Sequence, residues 1–383
     1  MLSPEDEFLQ RYQAGAAALD RGDWERARRE FERLTLDLPE FAPAWDGLGR
    51  ALDGLGDLTR AGRCFRRSSR LDRGSWQSRY HWGTALYRAG DLLQSRRWLR
   101  AATRLGPAER ANHHRLGLCL ADLGDLTGAL RSFHRALECP ENGIADARLW
   151  VCIGDGERDR GEYDQADAAF QRACLLAPSD PVVYHHWALL ARRREAWDEA
   201  EQLARRARAL ERDGFRALVL LVELALERSD WSAAEVRIGE LEQNPAWLRL
   251  AEAFRAVTAL RRGSPEEACT RAISALRTVG AHQDGAADRA LEVLRVLRGE
   301  VRSCRGYRLL VEVREGEEAF YCPYVVLAGD EPEARAFVAE LQDLLEPSPW
   351  EIVEVTRFRH RGEAHVGVYQ VTLPRVRFRI QLD

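Results

Sequence analysis

A short signature recurs along this chain at a nearly constant interval, and that interval limits what the chain can fold into. Gly22-Asp23-Trp24, Gly56-Asp57-Leu58, Gly90-Asp91-Leu92 and Gly124-Asp125-Leu126 stand 34 residues apart. Gly161-Glu162-Tyr163 follows after 37, which places an insertion of three near 141–145. Glu195-Ala196-Trp197, Ser229-Asp230-Trp231 and Gly263-Ser264-Pro265 then return to 34. The chain therefore holds eight units between about residues 8 and 280. A fixed period of this length marks stacked supersecondary units: one unit cannot bury its apolar face alone, whereas neighbours can cover each other.

Each unit divides into two amphipathic stretches around its signature. The Gly ends a first helix because it enters the left-handed region at no steric cost. The next residue, Asp or Ser in most units, can cap a second helix. Pro39, Pro107, Pro140 and Pro178 close several units, since Pro cannot continue a helix. Small residues recur where two helices must touch. Gly15, Gly49, Gly83, Gly117, Gly154, Ala188 and Ala256 take one position in the first helix. Ala27, Ala61, Ala129, Ala166, Ala200, Ala234 and Ala268 take one in the second. Phe31, Phe65, Phe133 and Phe170 stand among them as the large partners, so ridges can enter grooves at short range.

This pattern resembles the tetratricopeptide repeat (TPR) family over about 270 residues. Units seven and eight depart from it: Val222 replaces the small first-helix residue, and Arg255 stands where Leu is usual. The resemblance implies a mainly α protein, a right-handed α–α superhelix of about eight tetratricopeptide-type repeats. A helix near 286–297 is expected to cap the stack. It also implies a protein or peptide partner, bound in a groove lined by the first helices. The family's carboxylate clamp requires Lys and Asn at set positions, and this chain has neither there. Capture of a chaperone's acidic C-terminal tail is therefore not expected. Residues four and then three apart on a helix share a face. Carried through the first helices, that spacing selects Tyr12, Arg50, Tyr80, Tyr87, His114, Arg158, His185 and Arg192 as groove residues. An extended peptide or docked helix of acidic character suits such a surface.

The periodicity changes after residue 302. Segments 305–313 and 319–327 read as strands, with a turn at 315–317. A helix follows, with Asp330 as N-cap, Pro332 in the first turn and Glu333 completing a capping box. Pro347 and Pro349 stop it, and three further strands are expected at 350–358, 366–373 and 375–382. The order ββαβββ describes a small C-terminal α+β domain. Domain boundaries are accordingly expected at 1–302 and 303–383. Arg375, Arg377 and Arg379 alternate with apolar residues, which sets them on one face of a strand. Arg357, Arg359 and Arg361 form a second ladder. Should the two ladders adjoin, Arg357, Arg359, Arg375, Arg377 and Arg379 form an anion-binding face. The alternative function rests on it: a C-terminal module that binds nucleic acid or another anionic ligand while the repeats tether it. The module carries ten Arg against fourteen acids. Nucleic acid ranks below a protein partner because a solvated outer face paired with Glu neighbours is the plainer reading of these Arg, and nothing in the module resembles the aromatic RNA-binding motifs of sheet domains.

Composition excludes other classes. The net charge is −4, and hydrophobic and charged residues make up 45% and 31%, which suits a packed protein and not a disordered one. The basic residues are all Arg, a bias of the kind a GC-rich bacterial genome produces. No apolar run approaches the length of a membrane span, and the N-terminal residues have no secretory pattern. The eight Cys are scattered without CxxC spacing, which fits reduced thiols in the cytoplasm and neither a disulfide framework nor a zinc site. There is no Walker loop, dinucleotide fingerprint, HExxH or GxSxG. His113-His114 and His185-His186 are adjacent pairs whose side chains diverge on a helix. His360 and His365 flank a turn at Gly362. The reading is a cytoplasmic, non-enzymatic scaffold or adaptor of bacterial type, without cofactor, metal or membrane attachment.

Overall fold

The computed structural model describes residues 4–139, 144–211, 214–277, 285–298, 301–303, 305–315, 318–328, 330–345, 350–358, 363–365, 367–371 and 376–379. Expectations at Pro140, Cys304, Gly316, Pro347, Pro349, Arg359, His360, Arg361, Gly362 and Arg375 lie outside these residues. The chain is mainly helical and forms a TPR-like array. It divides into two compact units, Met1–Leu210 and Glu211–Asp383. That division falls inside the repeat array, whereas the sequence pattern changes near 302.

Among its described residues the first unit holds twelve helices in six pairs. They are α1 (Pro4–Asp20), α2 (Trp24–Asp37), α3 (Ala42–Gly54), α4 (Leu58–Leu71), α5 (Gln77–Arg88), α6 (Leu92–Leu105), α7 (Arg110–Asp122), α8 (Leu126–Glu138), α9 (Ile144–Arg160), α10 (Tyr163–Leu176), α11 (Pro181–Arg193) and α12 (Trp197–Leu210). The turns between partners are built alike. Gly22, Gly56, Gly90, Gly124 and Gly161 all have φ between +72° and +85°. Each is followed by an amide that reaches back five residues to a helix carbonyl, as in Asp23 to Ala18 at 2.9 Å and Asp57 to Leu52 at 2.9 Å. This is the Schellman closure, which satisfies carbonyls that a helix end leaves open. The side chains of Asp23, Asp57, Asp91 and Asp125 then accept from the third amide of the next helix, at 2.9–3.2 Å.

Packing within each pair depends on a residue sixteen positions after the small one. A Cβ placed on Gly15, Gly49 or Gly154 would lie 2.7–3.0 Å from the ring of Phe31, Phe65 or Phe170. One on Gly83 would meet Leu99 at 2.7 Å. These partners are fully buried. Such phenyl rings each contribute roughly 1.5–3 kcal/mol of burial free energy, and they seat only because the facing residue has no side chain. In later repeats the same two positions hold Ala188 with Ala204 and Val222 with Ile238, all buried. Val222 is thus accommodated by a changed partner.

First helices also touch the first helix of the next repeat, from α1 with α3 through α9 with α11, more closely than second helices touch one another. Within this unit the first helices therefore form the inner side of the stack and the second helices the outer side.

The second unit continues with α13 (Phe215–Glu227), α14 (Trp231–Glu242), a 3-10 turn at Pro245–Trp247, α15 (Leu248–Arg261), α16 (Pro265–Arg277) and α17 (Ala286–Arg298). Its remaining elements are β1 (Val301–Ser303), β2 (Arg305–Glu315), β3 (Glu318–Ala328), α18 (Glu331–Leu345), β4 (Trp350–Phe358), β5 (Glu363–His365), β6 (Gly367–Val371) and β7 (Val376–Arg379). The antiparallel sheet has the order β4-β2-β3-β6, and β7 pairs with the start of β3. The short strands β1 and β5, unforeseen in the sequence, pair with each other. As expected, Asp330 caps α18 by accepting from the Glu333 amide at 2.9 Å. Leu309, Val311, Tyr324 and Val326 of the sheet pack with Phe337, Val338 and Leu341 of α18. Helix α17 serves two cores. Ala290 and Val293 join the repeat cluster, and Leu291 joins the sheet cluster.

Candidate functional site

The inner side of the first unit holds a cleft of about 600 Å³ where repeats one to three meet. Tyr12 of α1 stands at one wall, its ring edge-on to Phe31 and Phe41 at 6.0 and 5.7 Å. Helix α3 supplies Asp46 and Arg50, one turn apart, and α5 supplies His81. The loop between α4 and α5 closes the remaining side with Asp72, Gly74, Ser75 and Trp76. That loop differs from its equivalents because Arg73 stands 34 residues from Pro39 and from Pro107. Without Pro, the Asp72 carboxylate shapes the turn by accepting from the amides of Gly74 and Ser75, both at 3.0 Å.

The charges in the cleft are not equivalent. His81 Nδ1–H donates to the Asp46 carboxylate at 2.9 Å, so this pair is internally satisfied and joins α3 to α5. Arg50 is half-buried, and among the described residues it has no hydrogen-bond or ion-pair partner. A guanidinium so placed offers a forked set of donors to an anion that enters the cleft.

Of the expected groove residues, the cleft brings together Tyr12 and Arg50. Tyr80 lies just beyond it, edge-on to Trp76 and His81 at 6.0 and 5.6 Å. Of the others, Tyr87 and His114 meet residues of the next repeat, while Arg158 and His185 meet neighbours on their own helices. Tyr87 lies under the Arg115 guanidinium at 5.6 Å, and its hydroxyl is pushed up to about 12 by burial and by Asp122. His114 is held below the ordinary imidazole range by burial and by Arg115 and Arg110. Its Nε2 is 3.9 Å from Cys152 Sγ. Arg158 pairs with Asp155 at 2.6 Å and Asp159 at 3.0 Å on its own helix. His185 is edge-on to His186 at 5.6 Å, and Arg192 is likewise engaged. His81 escaped the sequence reading because it stands one position past the selected face; its partner Asp46 lies on the preceding first helix.

Further polar links join successive first helices. Asp53 pairs with Arg88, and burial still pushes its carboxyl above the usual range. Asp146 pairs with Arg110. Asp155 lies 2.7 Å from His186 Nδ1.

In the second unit, the described Arg of the two C-terminal ladders, Arg357 on β4 and Arg377 and Arg379 on β7, are not on neighbouring strands. Arg357 of β4 stands opposite Tyr307 of β2, and Arg377 of β7 stands opposite Phe320 of β3. Two strands lie between β4 and β7. In the register of β3 their rows fall at Val326 and Phe320, six residues or about 20 Å apart. Among the described residues β4 and β7 do not pair, because they lie on opposite sides of the β2–β3 hairpin. Among the described residues no group of three or more His, Cys, Asp or Glu could hold a metal ion, and no helix is long and apolar enough to cross a membrane.

Comparison with known proteins agrees with this architecture. The family model for the tetratricopeptide repeat matches residues 12–75 and 80–144. The chain thus carries tetratricopeptide repeats over those residues. No curated protein matches it. A TPR protein from Parabacteroides merdae ATCC 43184 superimposes with a TM-score of 0.53 at 16% identity, over 67% of this chain and 99% of that one. Yeast Tom70 gives 0.53 at 16%, over 78% and 64%. The APC/C hetero-tetramer Cut9-Hcn1 gives 0.48 at 22%, and there the chain covers 57% of its own length and 42% of the other.

Proposed function

We propose that this protein is a non-enzymatic scaffold whose first helices bind a protein or peptide partner, anchored in the cleft at repeats one to three. The observation that carries the reading is Arg50, a half-buried guanidinium without a partner of its own among the described residues, beside a satisfied Asp46–His81 pair and the Tyr12 ring. An acidic side chain or a peptide carboxylate supplies the missing partner, while Tyr12 and Trp76 offer apolar contact. The C-terminal sheet is read as a second contact surface. The separation of its Arg ladders gives no support to a nucleic-acid site there. The six described cysteines are all free thiols, which supports a reducing, cytoplasmic setting, and the Arg-only basic composition supports a bacterial one.

Selection of displayed random peptides on the full chain tests the reading. Enriched peptides should share an acidic residue and should bind Arg50→Glu at least about tenfold more weakly, the loss expected for a charge-assisted contact. Peptides without an acidic residue, or indifferent to Arg50→Glu, overturn it.

A further inference from the structure

The outer side of the first unit carries a charge pattern that the groove does not use. Helices α4 and α6 contain nine Arg and not one Asp or Glu. Their apolar faces are buried, so the Arg fall on the outer stripe, and the repeat period aligns them. Arg63, Arg97 and Arg131 stand at 34-residue spacing on α4, α6 and α8. Arg66, Arg100 and His134 form the next row, and Arg70 and Arg104 a third, which Glu138 closes on α8, within 4.0 Å of Arg135. All eight basic side chains are exposed. Among the described residues, none of the seven Arg in these rows has a hydrogen-bonded or ion-paired partner. The first row runs on to the exposed Arg29 in repeat one, where the second and third positions hold Glu32 and Leu36, and no row continues into repeat five, which holds Ala168, Gln171 and Leu175. Successive second helices lie within side-chain reach, since Arg60 of α4 pairs with Glu32 of α2 at 3.1 Å.

Like charges three and four residues apart destabilise a helix, so packing alone does not favour this pattern. We propose that the face formed by α4, α6 and α8 binds the phosphate backbone of a nucleic-acid duplex, without reading its sequence. Three observations favour a duplex over other polyanions. The face has no exposed Phe, Tyr or Trp, the rings on which single-stranded bases would stack, and its one imidazole, His134, stands edge-on to Trp150 at 6.3 Å. The large apolar side chains exposed on these three helices are Leu93 and Leu105, at the two ends of α6. A flexible acidic peptide would have to be ordered there without an apolar anchor, whereas a duplex brings its charges already fixed in place. Finally, the Arg stand on helices held by fully buried Phe65, Leu99 and Phe133, so the rows form a rigid array suited to regularly spaced charge. The face is opposite the groove, so both can be occupied at once.

Fluorescence anisotropy of the full chain with a labelled random-sequence DNA duplex, titrated with salt, tests the proposal. Binding should be detectable at about 50 mM salt and fall steeply by about 200 mM. Replacing Arg66, Arg97 and Arg100 together by Gln should reduce the slope of log affinity against log salt by about two to three and weaken binding at least about tenfold. These residues are exposed, so circular dichroism melts should show the fold intact. The charge-matched control Arg193→Gln, Arg194→Gln, Arg205→Gln should bind as wild type does. Absence of binding at low salt, or equal losses in both variants, overturns the proposal. So does displacement of the duplex by polyglutamate or anionic vesicles at equal charge concentration, which reassigns the face to an acidic protein or a lipid surface.

Discussion

Repeat six should be the weakest turn of the first unit, and two substitutions should repair it. Where five earlier turns have Gly, this one has Glu195 at φ +59°. Where four of those turns have a capping Asp, it has Ala196. A side chain held in the left-handed region costs roughly 1–2 kcal/mol. Changing Glu195→Gly removes that cost but enlarges the freedom of the unfolded chain, which returns about 0.4–1 kcal/mol. The net gain is about 0.5–1 kcal/mol. Ala196→Asp supplies a side-chain acceptor for the open amides of α12 and should add about 1 kcal/mol. Asp198 and Glu199 in the same turn reduce that slightly by repulsion. The double substitution therefore amounts to about 1.5 kcal/mol, which corresponds to roughly tenfold slower opening of α12. Hydrogen exchange read by mass spectrometry resolves this helix from its neighbours. Exchange in α12 that is unchanged or faster refutes the argument. The reverse substitution, Gly161→Glu at φ +85°, should speed exchange in α10.

Gly49→Ala would press a methyl group within 2.8 Å of Phe65 and should cost about 1–3 kcal/mol in urea melts, partly recovered by adding Phe65→Leu. His114 is held below its ordinary 6.5 in the folded protein, so the unfolded chain takes up its proton first as pH falls. Stability should therefore drop as pH is lowered through 6.5 toward the depressed folded value and gain nothing further from this group below it. A smaller difference in urea midpoint between about pH 7.5 and 5 in His114→Gln than in wild type checks this. Burial pushes the Cys64 and Cys152 thiols up to about 11 and about 12. Both should resist alkylation near pH 8 in the native protein, which peptide mapping reads out; modification at the rate of a free thiol contradicts the burial.

The features legible in the sequence were those that repeat. Period, turn glycines, capping aspartates and the Gly–Phe complementarity each recur several times, so position alone identifies them. The N-cap at Asp330 was legible for a related reason: capping is a local contact between residues three apart. The cleft was only half legible. Tyr12 and Arg50 follow from helical spacing. The pairing of Asp46 with His81 spans 35 residues and depends on how far one repeat is rotated against the next, which no single helix reveals. The α4–α5 loop did leave a mark, the replacement of Pro by Arg73, but a lost Pro does not say what the freed backbone will line. In the last strands, alternation showed which residues share a face within one strand. It did not show that β2 and β3 would come between β4 and β7.

The same repeat geometry accounts for the different states of the charges on the two sides of the first unit. First helices approach their successors closely, so a charge on one meets a residue of the next, as Asp53 meets Arg88 and Asp146 meets Arg110. Most charges on that side become structural, and Arg50 stands out because its neighbour Asp46 is already taken by His81. Second helices lie farther apart, and their outer stripes meet fewer partners. Arg63, Arg97 and Arg131 therefore stay open in consecutive repeats, although Arg and acid balance across the repeats as a whole. A balanced total hides this pattern, because the acids that cancel the Arg all lie outside α4 and α6. A partner responds to the charge within about one Debye length, roughly 8–10 Å at physiological ionic strength, and not to the sum over the chain. Lowering the salt should therefore strengthen binding at the outer face far more than at the groove, where Arg50 is half-buried and less screened.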